Sequence, residues 1–174
     1  MKRYFLPFFI AAAICAASAS AQEKPEWRQR RFKDEDFLNA KVHGRFVFAL
    51  DGKFLKGNTF FSERPVLVIS CSDGRVEKNY FSLRGLESAE KTSDQFVKLE
   101  ARVDGKKTTI LSDGSGGAST FFFTRGDLKK LLNAQRAIIG AEYQRSQVVV
   151  QFDMPDPAPV FAGCGQDRVL KGKK

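Results

Sequence analysis

Four Asp-Gly pairs constrain this chain most: Asp51-Gly52, Asp73-Gly74, Asp104-Gly105 and Asp113-Gly114. Both residue types tolerate the positive φ that tight hairpin turns demand, so each pair reads as a reversal between strands. The runs between them carry the matching pattern. Phe46, Phe48 and Leu50 alternate with Arg45, Val47 and Ala49, and Val97, Leu99, Ala101 and Val103 alternate with Lys98, Glu100 and Arg102. The second of these is a half-buried strand with one wet face. The run from Pro65 to Cys71 is apolar on both faces, as in a central strand. Arg136 to Tyr143 and Gln147 to Met154 supply two more strands. Short strands joined by such turns predict a mainly β fold, either an antiparallel β-sandwich-like domain or a strongly bent sheet. With 174 residues the chain fills one core and is too short for two comfortable domains.

One helix interrupts the strands. Thr124 and Asp127 fit a capping box, and Phe123 and Leu128 occupy the hydrophobic-staple positions. Leu128, Leu131 and Leu132 then make an apolar stripe that packs on the sheet, so the expected helix covers about residues 125–134. The Gly/Ser-rich residues 112–120 read as a flexible loop.

The start of the chain has its own logic. Lys2 and Arg3 precede an apolar run from Tyr4 to Ala17, and Ala19-Ser20-Ala21 offers a small-residue cleavage site. This is the pattern of a secretory signal peptide over residues 1–21, with cleavage after Ala21 and a periplasmic or secreted product. The run is too short for a spanning helix, and nothing downstream is long and apolar enough to be one. Ile14 before Cys15 does not suit a lipidation signal. Without Lys2 and Arg3, 27 basic residues face 20 acidic ones, a net charge of +7 for the exported chain. The remainder divides into a charged segment over 22–43, a β-rich domain over 44–165 and a basic, flexible tail over 166–174.

The candidate chemistry is sparse. Cys71 and Cys164, 93 positions apart in an exported chain, read as one structural disulfide. Two free thiols or a redox pair are the alternatives, and the spacing does not suit a redox motif. Asp113-Gly114-Ser115-Gly116-Gly117 resembles the nucleophile loop of trypsin-like proteases, and His43 precedes it in that family's order. The first two residues of the motif are swapped, however, and a turn explains the cluster better. A single histidine, His43, excludes mechanisms and zinc sites that need two imidazoles. The acidic run Asp34-Glu35-Asp36 lacks a calcium-loop pattern, so no metal and no cofactor is expected. Arg28, Arg30, Arg31 and Lys33, beside Trp27 and Phe32, are candidate anion-binding residues. Export directs them to an envelope polymer, a lipid headgroup or an acidic protein rather than nucleic acid, and a solvated charged face is the bland alternative.

Several scattered features together resemble a known group. They are Trp27, the run Pro65-Val66-Leu67-Val68-Ile69-Ser70-Cys71, Arg102-Val103-Asp104-Gly105, Leu131-Leu132-Asn133-Ala134, Gln151-Phe152-Asp153 and the closing Cys164-Gly165. The chain is similar over about residues 27–165 to small exported accessory proteins of type VI secretion, of the VasI/TagO kind. That resemblance implies a β-rich, non-enzymatic envelope protein acting through protein contacts, with Cys71 paired to Cys164 and no catalytic residue. Its partner would be an envelope or secretion-machinery protein. The alternatives are a basic-patch binder of an anionic envelope polymer, and an exported hydrolase or hydrolase inhibitor.

Overall fold

The computed structural model describes residues 24–34, 43–86, 97–115 and 119–165. The signal-peptide pattern, Glu35 and Asp36 of the acidic run, and the basic tail lie outside the described residues. Among the described residues there are ten strands: β1 Arg28–Asp34, β2 His43–Asp51, β3 Lys53–Lys56, β4 Val66–Ser72, β5 Arg75–Ser82, β6 Val97–Val103, β7 Lys106–Ser115, β8 Thr120–Phe123, β9 Arg136–Tyr143 and β10 Ser146–Asp153. Two helices join them, α1 Arg125–Leu132 and α2 Ala158–Gly163. The mainly β class expected from the alternating runs is therefore the one observed.

All ten strands form a single antiparallel sheet in the order β1-β2-β4-β5-β8-β7-β6-β9-β10-β3. The strongly bent alternative describes it better than two separate layers. Laid flat, β2 and β3 would stand eight strand spacings apart, about 38 Å. Only Gly52 separates them in the chain. The sheet must therefore curl until its ends meet, with β2 and β3 acting as one bent strand of a closed barrel. At the corner the Gly52 amide donates to the Pro65 carbonyl at 2.7 Å. A Cβ there would stand 2.6 Å from Phe152 Cε1 and 2.8 Å from the Gln151 carbonyl oxygen, so β2–β3 passes β10 where only glycine fits.

The inner face is filled. Phe48, Leu50, Leu67, Ile69, Phe81 and Phe152 are essentially inaccessible, and Leu99, Ile110, Phe123 and Ile139 join the same cluster. Phe81 stacks on Phe121 at 4.9 Å and on Phe123 at 5.5 Å between ring centroids. A fully buried phenylalanine of this kind contributes roughly 2–3 kcal/mol. A smaller cluster of Ala49, Val66, Val68, Tyr80 and Phe122 occupies the opposite face of β2, β4, β5 and β8. The two clusters explain why β4 is apolar along both edges of its alternation.

Only two of the four Asp-Gly pairs close hairpins. Asp73 and Gly74 turn β4 into β5, Asp104 and Gly105 turn β6 into β7, and all four have positive φ. The Asp104 carboxylate also accepts the Gln135 and Arg136 amides at 2.9 Å, fastening the turn to the start of β9. Asp51-Gly52 is the corner described above. Asp113-Gly114 lies inside β7, where the register shifts between Ser112 and Gly114. The expected loop over 112–120 is corrected at both ends: β7 runs on to Ser115, because a bulge absorbs one residue and lets Gly114 pair with Phe122, and β8 starts at Thr120, while residues 116–118 lie outside the described residues.

The expected helix is present as α1, starting one residue after Thr124, and its apolar stripe Leu128, Leu131 and Leu132 is buried. The capping box is only half formed. Thr124 Oγ1 accepts the Asp127 amide at 3.2 Å, but the Thr124 amide donates to the Leu111 carbonyl instead of to Asp127. The Asp127 carboxylate instead accepts the Leu111 amide at 3.0 Å and so clips the helix to β7.

The short α2 has no helical periodicity to announce it, and Pro157 and Pro159 flank its start. Proline is nevertheless tolerated in a first helical turn, and the Asp156 carboxylate accepts the Ala158 amide at 3.0 Å there. Val160 and Cys164 carry the C-terminal segment into the core, and Gly163 lies against Phe48. Cys71 and Cys164 form a disulfide with Cα atoms 5.5 Å apart, tying this segment to the central strand β4.

Candidate functional surfaces

The protease-like residues are not neighbours in the sheet. His43 opens β2 and Ser115 closes β7, and β4, β5 and β8 lie between these strands in the sheet order. The Ser112 hydroxyl donates to the Gly114 carbonyl at 2.6 Å, a bond that holds the bulge. Ser115 sits opposite Phe121 as a ladder residue of β7, and Gly116 and Gly117 of the motif lie outside the described residues. Among the described residues no group of three or more His, Cys, Asp or Glu side chains is placed to hold a metal ion. No described helix is long and apolar enough to cross a membrane.

The basic stretch 28–33 becomes β1, an end strand of the sheet. The charged segment expected over 22–43 thus supplies a strand to the sheet. Register places Arg28 and Arg30 opposite Ala49 and Val47, and Arg31 and Lys33 opposite Phe46 and Gly44. The alternation of a strand divides these four positions between its two faces. The Arg28 guanidinium is engaged with the Asp51 carboxylate across the β1–β2 pair, while Arg30 is exposed.

A different set of cations is gathered on one face by pairing alone. On the outer side of β7, β6, β9, β10 and β3, one cross-strand row reads Lys107, Arg102, Ile138, Gln151 and Lys53. The next reads Thr109, Glu100, Gly140, Val149 and Lys56. Between the rows lies an open depression of about 170 Å³, bordered by Arg102, Lys107, Glu100, Ile138, Gly140 and Val149. Lys107 approaches Glu100 only to 3.9 Å, with both side chains about three-quarters exposed, so the pair is solvent-screened and flexible. Lys56 donates to the Gln147 side-chain oxygen at 3.2 Å.

At the far edge Asp153 accepts from Arg136 and Gln151, each at 2.7 Å, and faces Lys53 at 3.5 Å. Burial alone would raise its carboxyl, but these hydrogen bonds and the two cations outweigh burial and hold it below the usual carboxylate range. Asp153 is thereby saturated by its neighbours. Arg102 and Lys98 have no carboxylate partner among the described residues. The only sequence signal for this surface is the wet face of β6, where Lys98 and Arg102 alternate with the core.

The assembled features are those of a closed antiparallel β protein, packed solid inside, stapled by one disulfide and charged outside. No family model matches the chain, and no curated protein or solved structure is significantly similar to it.

Proposed function

We propose that this chain is a non-enzymatic binding or accessory protein of the cell envelope. In this reading it is exported behind the leader at 1–21, acts through protein contacts and serves as an auxiliary of a type VI secretion system. The observation that carries the reading is the filled interior. Phe48, Phe81, Phe152 and their neighbours occupy the space that a ligand-carrying barrel leaves open, so function falls to the outer surface. The disulfide supports an oxidising compartment.

Affinity capture of the tagged mature protein from its native envelope tests this. The expected result is one defined protein retained through a high-salt wash, unchanged by His43→Ala or Ser115→Ala. Turnover of a cell-wall or peptide substrate that disappears in the Ser115→Ala protein would overturn it, as would capture of nothing specific. A second reading, an anionic envelope polymer held by β1, draws support from the exposed Arg30, beside an Arg28 already engaged with Asp51. It predicts material released by salt, with no protein enriched.

A further inference from the structure

Gly140 occupies the middle of β9, paired with Val149 on one side and Glu100 on the other. Glycine weakens a strand interior and often marks a bulge, a tight bend or a close approach of another backbone, and the register shows no shift at Gly140 on either side. No such approach exists here. A Cβ at position 140 would meet the Glu100 carbonyl oxygen at 3.6 Å and Gln147 Nε2 at 3.9 Å, ordinary contacts for that atom. The fold does not require glycine at this position. What the missing side chain does create is the depression between the two rows, with aliphatic sides in Ile138 and Val149.

Cations flank that depression on both sides. Arg102 and Lys107 stand on β6 and β7, with Glu100 beside Lys107, and Lys56 stands on β3 against the neutral Gln147, while Lys53 already faces Asp153. Three strand spacings separate β6 from β3 in the sheet order, about 14 Å. An extended peptide rises about 3.3 Å per residue and turns every second side chain to the same side. Laid across the strands, it carries residues i, i+2 and i+4 toward the sheet over about 13 Å.

We propose that this face docks an acidic, extended segment of a partner protein, with an aliphatic side chain seated over Gly140. One carboxylate, two residues before it, pairs with Arg102 and Lys107. Another, two residues after it, pairs with Lys56. The proposal rests on the binding-module reading and names the chemistry of the partner.

The test is fluorescence anisotropy of the full chain with a labelled peptide carrying the pattern Glu-Ser-Leu-Ser-Glu. Saturable binding is expected, falling with salt. It should weaken at least tenfold when both glutamates become glutamine, and likewise when the leucine becomes alanine. Gly140→Val places its Cβ in ordinary contact and its methyl groups in the depression. It should lose binding at least tenfold while its thermal midpoint stays level or rises. The paired Arg102→Glu and Lys107→Glu substitutions lie on the surface and carry the test should Gly140→Val fail to fold.

Undiminished binding by both variants, no binding by the wild type, or stronger binding to alginate that ignores Gly140→Val would each overturn the proposal. Envelope capture separates the two claims. A partner held equally by wild type and by Gly140→Val sinks the docking face and leaves the binding-module reading standing. A wild type that captures no protein sinks that broader reading.

Discussion

Asp127 shows how one carboxylate joins two elements. Its side chain is 5% exposed and accepts from Thr124 Oγ1 at 2.9 Å, the Leu111 amide at 3.0 Å and Lys130 Nζ at 2.7 Å. Burial would raise its carboxyl, but the bonds from Lys130, Leu111 and Thr124 overcome burial and hold it below the ordinary value. A depressed folded value means that the stabilisation is complete above the unfolded pKa, near 3.9, and is lost as pH falls through the folded value. Asp127→Ala should cost roughly 2–3 kcal/mol at neutral pH, because it strands the Leu111 amide and removes a charged acceptor. Denaturant titrations at pH 7 and pH 3 check both points. The wild type should lose more stability between them than the variant, which keeps only the slope from Asp153 and other acids. Equal losses would contradict the linkage. The capping box makes Asp127 visible in the sequence as a helix-start residue. Its grip on β7 is not visible there, because nothing local says that Leu111 lies beside the helix.

At the scale of elements, the corner between β2 and β3 decides whether the sheet closes. Gly52 is buried and its amide is bonded to Pro65, and a methyl group there collides with a backbone oxygen as well as a ring. Gly52→Ala should therefore destabilise by about 1–3 kcal/mol, the usual range for forcing extra atoms into packed structure. Thermal denaturation measures it, and a variant as stable as the wild type would mean that β2–β3 and β10 have room between them for a methyl group. Asp51-Gly52 looks the same in sequence as Asp73-Gly74, yet one bends a strand and the other reverses it. The difference lies in the segment after each pair. Arg75–Ser82 returns along β4, whereas Lys53–Lys56 runs on and finds its partner in β10. Local turn chemistry fixes which residues tolerate positive φ, and long-range pairing decides whether they use it. The β9–β10 hairpin makes the converse point: Gln144 and Arg145 adopt positive φ there without a glycine, because the flanking strands impose it.

For the whole molecule, the features with a local cause are readable from the sequence: the alternating strands, the Thr124 cap and the pairing available to two cysteines. The outer cationic face is not, since Lys53, Arg102 and Lys107 lie on three strands whose adjacency depends on register across the sheet. The run 28–33 draws attention because four cations fall within six residues, yet a strand distributes neighbouring residues between opposite sides. The disulfide acts at the same global scale. Its loop of 93 positions contains β5 to β10 and α1, and its far end anchors α2 against the inner face. Closing so long a loop limits the unfolded chain more than it strengthens any folded contact, and in the chain-entropy account it contributes up to about 4–5 kcal/mol. Replacing both Cys71 and Cys164 by alanine, so that no lone thiol confuses the result, should lower stability by about 2–5 kcal/mol. Strand content by far-ultraviolet circular dichroism should persist at low temperature, since nine ladders remain. Urea denaturation of the double variant beside the oxidised wild type is the deciding measurement. Coincident transitions would show that the packing of Val160 and the strand pairing already hold the C-terminal segment without the covalent link.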